Sequence, residues 1–170
     1  MHAPEALRDI HDRAHHSQIG LLRHCRALTA VELNRQVPGF GDGTVRLQFR
    51  HAISAEEYWL GVIRGDFRID DDEAAYPTVE ALEAYRARVY ALTEEYLRGC
   101  PVESLNAARP MRTWSGKEPV LVPAHVILRT VTHLYHHQGQ IAAMCRILGK
   151  PIPEGLDFPL VPTQELTRDA

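Results

Sequence analysis

Apolar residues recur at helical spacing in four long segments of the chain, with breaker-rich connections between them. In the first segment, about 4–28, one helical stripe collects the residues Leu7, Ile10, Ala14, Leu21, Cys25 and Leu28. The other three segments cover about 44–64, 78–98 and 122–148. Helices this long must bury their apolar stripes against one another. The pattern therefore predicts an all-α fold, an antiparallel four-helix bundle.

The ends of the segments and the connections between them refine this prediction. Gly65 and Gly149 follow two segments at positions that suit left-handed helix caps. The connections are long enough for crossovers, so a simple up-down-up-down order is not implied. The acidic run 70–73 is interpreted as a solvated turn. The irregular tail, 151–170, contains apolar residues and is expected to pack back on the bundle, namely through Ile152, Leu156, Phe158 and Leu160.

Composition narrows the class of protein. A chain of 170 residues with 45% hydrophobic residues is interpreted as one globular domain, 1–170. Its net charge of −3 argues against binding to nucleic acid or to an anionic membrane surface. No apolar run reaches the roughly 18 residues of a membrane span, and the first residues do not resemble a secretory signal, so we expect a cytoplasmic protein. The cysteines, Cys25, Cys100 and Cys145, lack metal spacing and are expected to be free thiols.

Two histidines one helical turn apart, His133 and His137, form the densest chemical signal among the 10 histidines of the chain. They are separated by about 40° around the predicted helix and about 6 Å along it, so their imidazoles can converge on one ion. The centre of the apolar face lies about 70° from His133 on the same side as His137, whereas His136 points about 60° the other way. We therefore expect His133 and His137 to face the core and His136 to be exposed or to lie outside the ligand set.

The predicted second helix adds a third inward histidine, His51. Apolar residues surround it on the helical wheel, and the arginines of that helix lie on the opposite side. A divalent ion would satisfy three inward imidazoles at once and would leave a position open for water or substrate. Zinc, nickel or another first-row ion would suit such ligands. A structural role for these histidines is the alternative.

Other polar residues are weaker candidates. His11 is expected to be solvated or half-buried, or to line a pocket, and His125 is at most an outer neighbour of the metal site. The wheel turns Glu56 and Glu57 away from the site, so neither is assigned as general base, and no catalytic residue is predicted. The signatures of zinc metalloproteases and of di-iron bundles are absent.

Two segments carry a family resemblance: HAISAEEYWLGVIRGD in the second helix and HLYHHQGQIAAMCRILGKP in the last. Together they resemble the DinB-like superfamily, which includes damage-inducible proteins and thiol transferases that use bacillithiol or mycothiol. The resemblance implies a four-helix bundle with a long crossover, often dimeric, and a nickel or zinc ion bound by His51, His133 and His137. Many members have arginine where this chain has Gln138, so a role that needs a positive charge at position 138 is in doubt. Some members have histidine where this chain has Arg129.

Two functional hypotheses follow from the resemblance. In the first, the protein is a metal-dependent thiol S-transferase of stress or detoxification, with a low-molecular-weight thiol and a small-molecule electrophile as substrates. In the second, it is a stress-response protein that binds a metal or ligand without turnover. A homodimer is expected in either case.

Overall fold

The computed structural model describes residues 1–68, 72, 74–153 and 157–161. Within this part, the helices and strands are α1 (Pro4–Cys25), α2 (Ala30–Leu33), α3 (Val45–Arg64), α4 (Val79–Gly99), α5 (Val102–Asn106), β1 (Arg109–Pro110), β2 (Val120–Leu121) and α6 (Pro123–Ile147). The chain is therefore essentially all-helical, as predicted. The helix α1 ends three residues before the expected end, and the short elements α2, α5 and the β1–β2 ladder were not predicted.

Local signals fix where the long helices begin and end. The Thr44 and Thr78 side chains accept hydrogen bonds from the backbone N–H groups of Leu47 and Ala81, and these bonds cap α3 and α4. The helix α3 ends at Gly65, whose φ of 81° is the left-handed conformation that glycine adopts without strain. These caps set the positions of the histidine and glutamate side chains that α3 presents to its neighbours.

The four long helices form a bundle in which α1 and α3 each pack against both α4 and α6. The helices α1 and α4 are antiparallel, because Arg8 pairs with Glu94 and Arg26 with Glu83. The helices α1 and α6 run in the same direction, since Ser17 lies 3.4 Å from the Tyr135 hydroxyl and Cys25 lies 3.8 Å from Cys145.

The helix α3 runs against α6, because His51 near the start of α3 contacts His133 and Trp59 further along contacts Arg129. The directions are therefore up for α1 and α6 and down for α3 and α4. The connection between α3 and α4 joins two helices of the same direction, so it is the long crossover of the fold.

The apolar core is divided into two main clusters. The first contains Leu21, Phe49, Leu82 and Ile141, and the second contains Leu7, Ile63, Leu97 and Ile127. Polar side chains occupy the middle of the bundle between these clusters, on the inward faces of α1, α3 and α6. Polar groups in a core require partners for their hydrogen bonds, and the buried histidines His11, His15 and His137 belong to the two histidine groups described below.

The connection after α3 packs closely on the helix. A Cβ atom added to Gly61 would lie 2.6 Å from the Phe67 Cα atom, closer than real Cβ atoms approach a backbone. Glycine at position 61 therefore permits the chain to fold back along α3. This close approach holds Phe67 against Tyr58, whose ring centroid lies 5.4 Å away.

A short hairpin connects α5 to α6. The strands β1 and β2 pair antiparallel, and the Met111 N–H donates to the Pro119 carbonyl at 3.0 Å. At the tip, the Trp114 N–H donates to the Tyr58 hydroxyl at 3.0 Å. This bond holds the tip of the hairpin against α3, with the Trp114 side chain 70% exposed.

The described part of the C-terminal tail contacts the bundle. Arg13 of α1 donates to the Pro159 carbonyl at 2.8 Å, and Ser17 donates to the Asp157 carbonyl at 2.9 Å. Ile152 packs against the first apolar cluster, whereas Leu160 is exposed. The predicted packing of Leu156 and of residues 162–170 lies outside the described residues. No helix in the described part of the chain is long and apolar enough to cross a membrane.

Candidate metal centre

The structure brings together the three histidines that the sequence singled out. The Nε2 atoms of His51 and His133 lie 3.2 Å apart, and the ring centroids of His133 and His137 are 4.4 Å apart. The third pair of rings, those of His51 and His137, has a centroid distance of 4.7 Å. One nitrogen from each ring lies within 4.8 Å of the others, a separation at which all three could hold one ion. The helix α6 supplies two of the rings and α3 supplies the third.

The spacing of the nitrogens is compatible with a metal site. Two imidazole nitrogens bound to one zinc ion at about 2.0–2.1 Å would be roughly 3–3.4 Å apart, and the observed separation of 3.2 Å falls in this range. A hydrogen bond between His51 and His133 would satisfy only those two atoms. A single ion would satisfy all three rings.

A buried amide orients the His137 ring. The Nδ1 atom of His137 lies 2.6 Å from the Gln48 Oε1 atom, which can only accept a hydrogen bond. The proton of His137 is therefore on Nδ1, and its Nε2 lone pair is available to a metal. The Gln48 amide is itself held by a 2.7 Å bond from Nε2 to the Asp42 carbonyl. Outer hydrogen bonds of this kind fix the tautomer and orientation of metal-binding histidines.

Asp42 also approaches the third histidine. Its Oδ2 atom lies 3.5 Å from the His51 Nδ1 atom, a position that favours a proton on Nδ1 and a free lone pair on Nε2. Gln48 was missed in the sequence analysis, although it lies about 60° from His51 on the helical wheel, inside the apolar face. Asp42 lies in a glycine-rich connection, where no periodic pattern could have indicated it.

The pKa values of two of these histidines are lowered. Burial, with smaller contributions from the neighbouring His51 and Arg129, lowers the pKa of His133 to about 4. Burial likewise lowers the pKa of His137 to about 3, with contributions from His133 and His51. Both rings are neutral at pH 7, which is the form of imidazole that binds metals.

Two of the three histidines line one side of a cavity of about 610 Å³. His51 and His133 face it, together with the aromatic residues Tyr58, Trp59, Tyr85 and Trp114. Because two of the three candidate ligands also border the cavity, a molecule in it can reach an ion held by them. Three protein ligands beside an open cavity are typical of catalytic rather than structural zinc sites.

The remaining histidines of α6 lie elsewhere, as the helical wheel predicted for His136. His136 is exposed, and its Nε2 atom lies 2.6 Å from the Gln140 amide nitrogen. His125 is also exposed, and its ring lies against that of His2, with centroids 5.5 Å apart. Gln138 is only 4% exposed, and neither amide atom has a partner within the described part of the chain.

The prediction that His11 is solvated or half-buried was wrong. His11 and His15 of α1 are 1% and 2% exposed, because α3 places the buried Glu56 between them. The Nε2 atoms of His11 and His15 lie 2.8 and 2.9 Å from the two Glu56 oxygens. The Thr93 hydroxyl of α4 donates to Glu56 at 2.7 Å. This buried histidine–glutamate network was missed because the partner lies on another helix.

The protonation of the network follows from its contacts. Arg86 of α4 can only donate, and one of its terminal nitrogens lies 3.3 Å from the His15 Nδ1 atom. His15 is therefore neutral and donates from Nε2, which agrees with the lowering of its pKa by burial. Burial opposes ionisation of Glu56, but the hydrogen bonds that it accepts from His11 and His15 help to hold its pKa well below the usual value. Glu56 is therefore an ionised acceptor in the core.

The network is a second group whose atoms are close enough for a metal, but its contacts favour a structural role. The two Glu56 oxygens already accept three hydrogen bonds. The Arg86 guanidinium balances the negative charge of Glu56, so a divalent ion there would add uncompensated positive charge in the core. At the site formed by His51, His133 and His137, the facing nitrogens of the rings are not committed to a carboxylate, and two of the three residues border a cavity. A third group, His11, Asp12 and Glu94, is committed to Tyr90 and Arg8 through its carboxylates.

The comparisons agree with this fold. The sequence model of the DinB superfamily matches residues 10–141, so the chain belongs to the DinB superfamily. Among solved structures it is similar to a conserved protein from Enterococcus faecalis, with a TM-score of 0.63 and 18% identity over 87% of this chain and 98% of that one. At this identity the likeness shows the fold alone. The comparison with curated proteins gave no significant match.

Proposed function

We propose that this DinB-superfamily protein is a metal-dependent thiol S-transferase. The observation that carries the proposal is the convergence of His51, His133 and His137 at the wall of an aromatic-lined cavity. The cavity gives an external molecule access to the candidate ligands. The resemblance noted in the sequence contributes the reaction class, with mycothiol or bacillithiol as the thiol and zinc or nickel as the ion.

The residues of the chain have distinct tasks in this proposal. A divalent ion at this position would lower the pKa of a bound thiol and so supply a thiolate at neutral pH. Gln48 and Asp42 keep the rings of His137 and His51 oriented. Trp59 and Trp114 line the cavity, where they hold the apolar part of a substrate and exclude water.

The transfer replaces one bond by another. The sulfur forms a bond to the electrophilic carbon, the leaving group departs with the electron pair of its bond to that carbon, and the thiol proton goes to solvent. Glu57 is the carboxylate of the described cavity wall, but it accepts a 2.7 Å hydrogen bond from Tyr85 and pairs with Arg88. We therefore assign no general base to the reaction.

A conjugation assay tests the proposal. Protein purified without an affinity tag is loaded with zinc or nickel and mixed with monochlorobimane and either mycothiol or bacillithiol. We expect a thiol-dependent rate that falls to background in His133→Ala, whereas His136→Ala, an exposed histidine on the same helix, keeps it. Metal binding without a thiol-dependent rate would contradict the transferase proposal and would favour a binding protein without turnover. An equal rate in both variants would contradict the assignment of the site.

A further inference from the structure

Two guanidinium groups border the cavity next to the candidate metal centre. Arg129 lies on α6 one turn before His133, and its guanidinium carbon is 4.9 Å from the centroid of the Trp59 ring. Arg68 lies on the connection after α3 and lines the same cavity. Four residues of helix rise separate Arg129 from His133 by about 6 Å along α6. A ligand of modest size could therefore contact both residues at once.

These positive charges have no acidic partner among the described residues. The carboxylate of the described cavity wall, Glu57, is committed to Tyr85 and Arg88. Neither Arg68 nor Arg129 makes an ion pair within the described part of the chain, and both are exposed. Stacking on Trp59 holds Arg129 in place and leaves its N–H groups available, since a guanidinium interacts with the ring through its face.

The cavity thus combines apolar walls with guanidinium groups that form no ion pair among the described residues. Trp59 and Trp114 line the cavity and offer apolar surface to the body of a ligand. Arginine binds carboxylates through two parallel hydrogen bonds, whereas a neutral group in the same place would leave some of its donors unpaired. A cationic ligand would be repelled by both guanidiniums and by an ion at the histidines.

We infer that the cavity selects a substrate with a carboxylate on a flat apolar body, and that Arg129 binds the carboxylate while the body lies against Trp59 and Trp114. The inference rests on the proposed function only in assigning this molecule as the electrophile. Its reactive carbon then faces His51 and His133. Arg129 is thus a specificity-determining residue, and Arg68 strengthens the positive potential of the cavity.

Intrinsic fluorescence provides a direct test, because the sequence contains 2 tryptophans, Trp59 and Trp114, and both line the cavity. Metal-free protein is titrated with 3-phenylpropionate and with its uncharged amide, and the titrations are repeated with zinc. We expect the acid to quench the emission and to bind at least about tenfold more tightly than the amide, as expected for a charge-assisted hydrogen bond. Arg129→Gln should abolish this preference, and Arg129→Lys should restore part of it.

The control is Arg146→Gln, which removes an exposed arginine from the same helix but away from the cavity. It should keep the preference of the unmodified protein for the acid. Equal affinity for acid and amide, a preference that persists in Arg129→Gln, or no quenching by either ligand at about 10 mM, well above a millimolar Kd, would overturn the inference. Since binding is measured without metal, failure of the conjugation assay and failure of this test are distinguishable.

Discussion

The buried Glu56 carboxylate offers the sharpest test of how the bundle is held together. The substitution Glu56→Gln keeps the size of the side chain but removes its charge and one acceptor oxygen. In the protein, the two oxygens accept hydrogen bonds from Thr93, His11 and His15, at 2.7 to 2.9 Å. The NH2 group of the new amide would replace one carboxylate oxygen and would face a hydrogen-bond donor of Thr93, His11 or His15. It would also leave the Arg86 guanidinium without its balancing charge.

The expected loss of stability is large for a single isosteric change. A hydrogen bond to a charged group contributes about 1.5–3 kcal/mol, so disturbing two of the three bonds at Glu56 should lower the free energy of unfolding by about 3–5 kcal/mol. For a domain of this size each kcal/mol lowers Tm by about 2–4 °C, so Tm should fall by roughly 6–20 °C. The pKa of Glu56 is held below its unfolded value, so its stabilising effect is present above about pH 4.3 and is lost as pH falls through the folded pKa.

Urea and thermal unfolding at pH 7 and at lower pH measure this effect. Glu57→Gln on the same helix is the matched control. Its ion pair with Arg88 is partly exposed, and the amide oxygen can still accept the hydrogen bond from Tyr85, so this change should cost less than about 1 kcal/mol. The difference between wild type and Glu56→Gln should shrink as the pH falls below about 4. A loss of less than about 1 kcal/mol for Glu56→Gln at pH 7 would refute the view that an ionised carboxylate ties α1, α3 and α4 together.

Three further outcomes are expected. Gln48→Leu should weaken zinc binding by about 10- to 100-fold in a competition assay with a chromophoric chelator, because His137 loses its orienting acceptor, and unchanged affinity would contradict this role. The metal-free protein should lose stability as pH falls from about 6.5 towards 4. The pKa values of His133 and His137 are lowered in the folded protein, so the unfolded chain takes up protons first. A stability that rises in this pH window would contradict the burial of neutral rings. Gly61→Ala should destabilise the fold by about 1–3 kcal/mol in urea unfolding, since its Cβ would meet the backbone of the following connection. Gly139→Ala, on the open surface of α6, should instead stabilise the fold by up to about 1 kcal/mol. The reverse order would contradict the packing of the connection on α3.

The sequence determined most of the fold through helical periodicity. Long apolar stripes predicted the four long helices. Gly65 marked the end of α3, because a residue with a left-handed φ cannot continue a right-handed helix. The short elements could not be predicted, since α2 and α5 contain too few residues to show a period. The direction of the helices also depends on contacts between distant segments, such as Arg8 with Glu94, which a single sequence does not reveal.

The candidate site was predictable where its residues share a helical face with apolar neighbours. The wheel separated His133 and His137 from His136, because exposure follows angular position on α6. The same reasoning failed for His11, whose burial depends on a carboxylate from another helix. The cavity was likewise inaccessible to sequence reasoning, since the hairpin that carries Trp114 has no periodic pattern.

We propose above that His51, His133 and His137 bind one divalent ion. The most direct measurement is anomalous scattering at the zinc and nickel absorption edges, from crystals of tag-free protein grown with each ion. The account predicts one strong peak at about 2.0–2.1 Å from a nitrogen of each of the three rings, and no peak between His11, His15 and Glu56. A peak in the buried network, or none at the three histidines, would contradict it.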